Sequence, residues 1–363
     1  MNSKINIAVT GYFGTGSSAV IDLLREYRGV KILPEIGHLY EHEAFYYPGG
    51  LFDLYSLMRY GNSPQGSDIY INNFIKTMKR LNDYDYVWYG SYQKLFGDSF
   101  MKLVDDFVDS ISEKREGSNS FHNVKSRFSL IKAAMQYAAK IIYKKKIVQY
   151  GRKYIKDGNP VYFSMPTIEE LNSAAQKFTD GYFKLFNDKD FIGVYDHLIW
   201  PQQVNSHQNC FSTNLKIIVV NRDPRDVFLS SKYVWCKPGL GNSVGKPHFG
   251  DNPVKFTEEW RRTVILNNTN PNAFHIYFED LVYKYEETVR EIEEFIGLSS
   301  NDHVAYKSKF QPEKSIENTQ VFTQNEAFER EVKVIEDTLY DYLYPFAYRR
   351  QANINNMFDS PND

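Results

Sequence analysis

Cysteine is nearly absent: Cys210 and Cys236 are the only two in 363 residues. Two thiols build neither a disulfide framework nor a zinc cluster, so a reducing cytoplasm is the expected setting and no metal is expected. Long apolar runs are also missing. No stretch reaches the length of about 18 residues that crosses a bilayer as a helix, so no spanning segment is expected. A charged, apolar, small-residue leader does not precede the first apolar run at Ile5, and no signal peptide is expected. Internal repeats and long low-complexity tracts are lacking as well.

What is present supports a sizeable core. With 42% hydrophobic and 16% aromatic residues, the chain has enough apolar surface for one large domain or two. Its most informative stretch runs from Ile217 to Tyr233, Ile-Ile-Val-Val-Asn-Arg-Asp-Pro-Arg-Asp-Val-Phe-Leu-Ser-Ser-Lys-Tyr. The apolar run Ile217 to Val220 predicts a strand buried on both faces, as in parallel sheets, and Asp223-Pro224 turns the chain into a helix. Arg222 then stands at the carboxyl edge of the strand. Ser230 and Ser231 lie two turns along the helix, where a hydroxyl can approach a phosphate that the guanidinium holds as a fork. The plainer alternative is Arg222 paired with Asp223 or Asp226, with the hydroxyls capping the helix.

Near the amino end, Ile5 to Val9 predicts a strand, and Thr10-Gly11-Tyr12-Phe13-Gly14-Thr15-Gly16-Ser17-Ser18 leads into an apolar helix. A Gly-rich turn between strand and helix lets backbone amides close on an anion, with Ser17 and Ser18 as further donors and the helix dipole favouring negative charge. It is not a Walker A loop, because Ser17 stands where that motif needs a lysine after the last glycine. That weighs against an ATPase or kinase.

The Arg222 to Ser230 spacing resembles the 3′-phosphate element of the sulfotransferases that use 3′-phosphoadenosine 5′-phosphosulfate (PAPS). The loop at Gly14, Thr15, Gly16, Ser17 and Ser18 is similar to that family's P-K-S-G-T-T loop for the 5′-phosphosulfate, with Gly14 in place of the lysine. A third likeness is Phe274-His275-Ile276-Tyr277-Phe278-Glu279-Asp280-Leu281, followed by a Glu-rich helix ending at Phe295-Ile296-Gly297-Leu298, which resembles the family's Y-E-D-L strand and F-L-G-L helix end. The resemblance implies an α/β fold, a parallel sheet flanked by helices, in a single sulfotransferase domain over 1–350. A mostly helical acceptor-side insertion is expected at about 44–190, with a flexible tail at 351–363. It also implies PAPS as sulfuryl donor, with Phe278 against adenine and Lys314 and Ser315 in a loop closing over the 3′-phosphate end.

Sulfuryl transfer to a hydroxyl or amine needs a base near the carboxyl ends of the strands. Two positions match family bases: Glu35, after the expected strand Val30 to Leu33, and His197, in Val194-Tyr195-Asp196-His197-Leu198. His38 and His42 are lesser candidates. From Lys114 to Lys156 the chain carries twelve Lys or Arg against the single acid Glu116, so this segment holds about +11 and the remainder about −13. Its apolar residues Phe128, Ile131, Met135, Ala138 and Ile142 recur at helical spacing, so an amphipathic basic helix is expected. It suits an anionic acceptor, a glycan or one presented on lipid, or peripheral membrane contact; nucleic acid is not expected. The alternatives are a P-loop nucleotide kinase and a catalytically idle nucleotide-binding or membrane-surface scaffold.

Overall fold

A computed structural model describes residues 5–34, 42–84, 90–115, 134, 138, 161–186, 191–212, 214–235, 252–266 and 268–350. Contacts divide the chain into two units. The first comprises Met1–His42, Phe186–Gln208 and Ser212–Asp363, and the second Glu43–Leu185 with Asn209–Phe211.

The first unit is built on five strands, β1 (Asn6–Gly11), β2 (Val30–Leu33), β3 (Ile192–Asp196), β4 (Leu215–Asn221) and β5 (Ala273–Tyr277). They form one sheet in the order β2-β3-β1-β4-β5, parallel throughout. Ile7, Ala8 and Val9 of β1 and Ile218, Val219 and Val220 of β4 are all fully buried. Consecutive burial means both faces are covered, which is why these strands are unbroken apolar runs and not alternating ones. One cluster joins Ile7, Val9, Ile218 and Val220 to helices α1 (Ser17–Leu24) and α5 (Tyr285–Ile296). Helices α2 (Pro224–Ser230), α3 (Pro253–Thr263) and α6 (Glu326–Thr338) share a second cluster around Phe228, Phe256, Trp260 and Ile335. Between β5 and α5 lies the short helix α4 (Phe278–Tyr283). Gly297 ends α5 with φ 73°, the left-handed stop expected for that glycine.

The connections fix where a ligand can sit. From β1 the chain runs out to β2 on one side, whereas from β4 it continues to β5 on the other, and β1 and β4 are neighbours. Such a switch point opens a crevice at the carboxyl ends of the strands. The register aligns Gly11 with Val220, Val9 with Asp196, Leu33 with Tyr195 and Asn221 with Tyr277. Tyr12, His197, Arg222 and Phe278 therefore all leave the sheet along one edge.

The second unit is helical, with helices at Leu51–Tyr60, Pro64–Asp83, Ser99–Ile111 and Ile168–Phe186. Ser63 caps the longest of these by accepting from the Gly66 amide at 2.9 Å, with Pro64 in the first turn. Glu113–Arg115 and Val161–Phe163, which bracket residues 116–160 in the chain, pair antiparallel. Asp68 accepts from the Tyr162 amide at 3.0 Å, tying that strand to the long helix. Of the basic segment only Lys114, Arg115, Ala134 and Ala138 are described, and residues 351–363 also lie outside the described residues. Among the described residues no helix is long and apolar enough to cross a membrane.

Phe178 is 1% exposed and meets the rings of Phe45, Phe74 and Phe107 at centroid distances of 6.2, 6.1 and 5.2 Å. Phe178→Ala should cost about 3–5 kcal/mol of stability, the range for removing a large buried aromatic. Urea titration of the variant against the parent measures it, and a loss below about 1 kcal/mol would show that the surrounding rings collapse into the space.

Candidate active site

The Gly-rich loop is a preformed cradle. Thr15 closes a turn onto the Tyr12 carbonyl through both its amide, at 3.0 Å, and its hydroxyl, at 2.8 Å. Gly14 is the third residue of that turn, at φ 75°, a conformation that favours glycine. Gly16 has φ 86°, and a Cβ there would lie 2.9 Å from the Phe278 ring. Only glycine lets the loop lie so close to that aromatic face. Helix α1 starts immediately after, without a side-chain cap, so the amides of Ser17 and Ser18 open its amino end towards the crevice edge. Tyr12 anchors the other end of the loop by accepting from the Ile265 amide at 2.9 Å.

Arg222 binds this loop directly. It is 8% exposed, and its Nη1 donates to the Gly14 carbonyl at 2.9 Å. Nη2 donates to Ser230 Oγ at 3.3 Å and to the Asn318 carbonyl at 2.5 Å, while the guanidinium stands 5.3 Å from the Phe278 ring centre. Every acceptor is neutral. Among the described residues no carboxylate lies within ion-pair distance of Arg222, and its buried Nε has no partner. Ser231 Oγ and Thr10 Oγ1 are likewise buried without partners beside the loop. A desolvated cation with unspent donors, next to a glycine cradle, fits an anionic group with several acceptor oxygens.

The plainer alternative for the R-D-P-R-D segment fails for a specific reason: Arg225, not Arg222, takes the acid. Arg225 donates from Nε and Nη2 to Asp223 at 2.9 and 2.8 Å and from Nη1 to Glu336 at 2.8 Å. Asp226 accepts from the amides of Gln320 and Val321, each at 2.7 Å, and Glu279 accepts from the Asp223 amide at 2.9 Å. Burial, followed by mutual repulsion with Asp223, pushes the carboxyls of Asp226 and Glu279 up from their ordinary values. Sequence reasoning missed Asn318, whose contribution is a main-chain carbonyl that no side chain signals, and it gave no role to Glu279 within the Phe-Glu-Asp-Leu segment that it singled out.

His197 follows β3 with φ 51°, and its amide bonds to the Val9 carbonyl at 2.9 Å, which holds it beside the start of the loop. Its Nδ1 lies 2.8 Å from Asp196 Oδ1, close enough for an ion pair though not aligned as a hydrogen bond. Glu35 and His38 lie outside the described residues. His42 is 1% exposed, bonded through Nε2 to the Leu33 carbonyl at 3.1 Å, and burial lowers its pKa to about 4. A ring so enclosed is core and no proton carrier. Lys314 is exposed and Ser315 half-buried in one helical turn, Pro312–Ser315, which leads to Asn318.

No curated protein matches the chain. Among solved structures, one similar chain is in a crystal structure of retinol dehydratase in complex with androsterone and inactive cofactor PAP. It has 13% sequence identity, with 92% of this chain and 87% of that chain covered, and a TM-score of 0.26, too low to carry an argument. Residues 166–334 match the model of the sulfotransferase domain. Over that span the chain is similar to the sulfotransferase domain, the family its motifs resemble. The matched span holds His197, Arg222, Ser230, Phe278, Lys314 and Ser315, and the Gly-rich loop joins it through the Arg222 bond to Gly14.

His42 supplies a pH test. Its folded value of about 4 lies below the unfolded value of 6.5, so the unfolded chain takes up a proton that the fold refuses. Stability contributed by the neutral ring is whole above pH 6.5 and is lost as pH falls towards 4. Between pH 7 and pH 5 the loss should be about 2 kcal/mol, at about 1.4 kcal/mol per unit. His42→Gln, which keeps a donor for the Leu33 carbonyl, should remove that component. Urea midpoints at the two pH values measure it, and equal acid sensitivity of both proteins would be the contrary result.

Proposed function

We propose that the crevice at the β1 and β4 edge binds PAPS and that the chain transfers its sulfuryl group to an acceptor hydroxyl or amine. The observation that carries this reading is Arg222: a buried guanidinium without an acid, bonded at once to the Gly-rich loop, to Ser230 and to the Asn318 carbonyl. In this reading Arg222 and Ser230 hold the 3′-phosphate as a charge-assisted fork and a hydroxyl. Amides of residues 14–18, with the Ser17 and Ser18 hydroxyls, hold the 5′-phosphosulfate at the amino end of α1. Phe278 offers its ring near the adenine, and Lys314 and Ser315 belong to the segment that closes the 3′ end. The donor, when bound, supplies an activated sulfuryl group; the protein's own work is to orient it, exclude water and accept the acceptor's proton.

His197 or Glu35 takes that proton. Asp196 beside Nδ1 favours the charged imidazole that proton acceptance creates. The twelve-to-one basic bias of residues 114–156 supports an acceptor that is anionic or presented on an anionic surface. A nucleotide kinase would need the loop lysine that Gly14 and Ser17 do not provide.

Calorimetry tests the nucleotide. The chain should bind 3′-phosphoadenosine 5′-phosphate (PAP) more tightly than adenosine 5′-phosphate, and Arg222→Ala should weaken PAP binding by roughly 2–4 kcal/mol. Equal affinity for the two nucleotides, or of the two proteins for PAP, would overturn the reading.

Turnover tests the base. One of His197→Ala and Glu35→Gln should lower kcat by about 10²–10⁴ with nucleotide affinity nearly unchanged. Should both variants keep full turnover, the base lies elsewhere.

A further inference from the structure

Glu26, in the turn after α1, is fully buried, and four donors from far along the chain converge on its carboxylate. Oε1 accepts from the amides of Lys309 and Phe310 at 2.7 and 2.9 Å. Oε2 accepts from the Lys307 amide at 3.0 Å and faces His303 Nε2 at 2.6 Å. The same turn grips this segment through its backbone, since the Ala305 amide donates to the Glu26 carbonyl at 3.1 Å and the Arg28 amide to the Asp302 carbonyl at 2.7 Å. Tyr27 stacks on the His303 ring at 4.3 Å.

What this carboxylate holds is the strand of chain that reaches Arg222. From Phe310 the chain passes through the turn Pro312–Ser315 to Asn318, whose carbonyl receives Arg222 Nη2, and is pinned again where Asp226 accepts the Gln320 and Val321 amides. The strap thus has two pins, and Glu26 is the distal one. Helix α1 presents the Gly-rich loop at its amino end and Glu26 just beyond its carboxyl end, so one rigid element sets both sides of the crevice.

We propose that Glu26 is a positioning residue for the 3′-phosphate half of the nucleotide site, holding the 307–318 strap in the register that aims Arg222. This rests on the reading of Arg222 as the 3′-phosphate ligand. No neutral side chain of the same shape can replace it. A glutamine offers one acceptor oxygen and turns an amide group towards donors, leaving at least one buried N–H opposed.

The test is calorimetry of Glu26→Gln with PAP and with adenosine 5′-phosphate. PAP affinity should fall by about tenfold or more, the scale of a misplaced charge-assisted contact, while adenosine 5′-phosphate binding stays within about twofold. A purely structural role would lower the melting temperature and leave the ratio of the two affinities unchanged, and that result would overturn the proposal. If Glu26→Gln does not fold, His303→Leu, which removes one of the four donors and keeps the three amides, should shift the ratio in the same direction. An unchanged ratio in that variant is equally decisive against it. Failure of the underlying reading would show itself separately, as a parent protein that does not prefer PAP.

Discussion

A guanidinium taken out of water and given no counter-charge is the constraint around which the first unit is arranged. Desolvating a charge is costly unless strong acceptors replace the water. Arg222 receives three neutral ones, from the loop after β1, from the end of α2 and from the strap at Asn318. Each comes from a different part of the chain, so the cation also acts as the point at which those parts meet. An acid in the same place would satisfy Arg222 better and would leave nothing for a ligand.

Keeping nearby acids away from Arg222 requires that each have other work. Asp223 is saturated by the Arg225 fork, by the Arg225 amide and by the Tyr344 amide at 3.0 Å. Asp226 is turned to the two amides that open the segment after Asn318, and Glu279 to the amide of Asp223. Three buried carboxylates thus surround two arginines while only one arginine is neutralised by direct contact. Asp226 and Glu279 act on Arg222 only through space, without consuming its donors, and burial holds their carboxyls up from their ordinary values. Arg225, stacked on Phe322 at 3.8 Å, is the structural partner in this pair of arginines.

Much of this was legible in the chain because the relevant signals are local. Unbroken apolar runs marked β1 and β4, Pro224 marked the start of α2, Gly297 the end of α5, and the spacing from Arg222 to Ser230 placed a hydroxyl on the right face of a helix. What escaped reading has no local signature. Asn318 contributes a carbonyl that any residue would supply, and its position depends on the fold of the intervening segment. Nothing in the sequence around Glu26 signals that its carboxylate meets residues 277 to 284 positions away. His42 misled in the opposite sense, since a histidine among carboxylates looks reactive until its burial against Tyr195 and Phe186 is seen. The choice between Arg222 and Arg225 as partner of Asp223 was a matter of geometry that spacing alone leaves open.

The missing loop lysine follows from the same geometry. Gly14 occupies the left-handed position of the turn that Thr15 closes on Tyr12, where any side chain costs about 1–2 kcal/mol of backbone strain. Space is not the obstacle, because a Cβ would meet only Val227 at 3.6 Å and Ser231 at 3.9 Å. A lysine there would start out towards α2, against the helix face that Val227 and Ser231 present. With the turn set this way, the loop obtains positive charge from across the switch point, through the Gly14 carbonyl to Arg222. Charge and loop therefore follow separate strands, β4 and β1, and the charge that reaches the loop depends on the register between them, Gly11 against Val220. A one-residue slip in that pairing would reverse the faces of β4 and carry Arg222 away from the loop, so the proposed anion site depends on the central strand pair as much as on its own side chains.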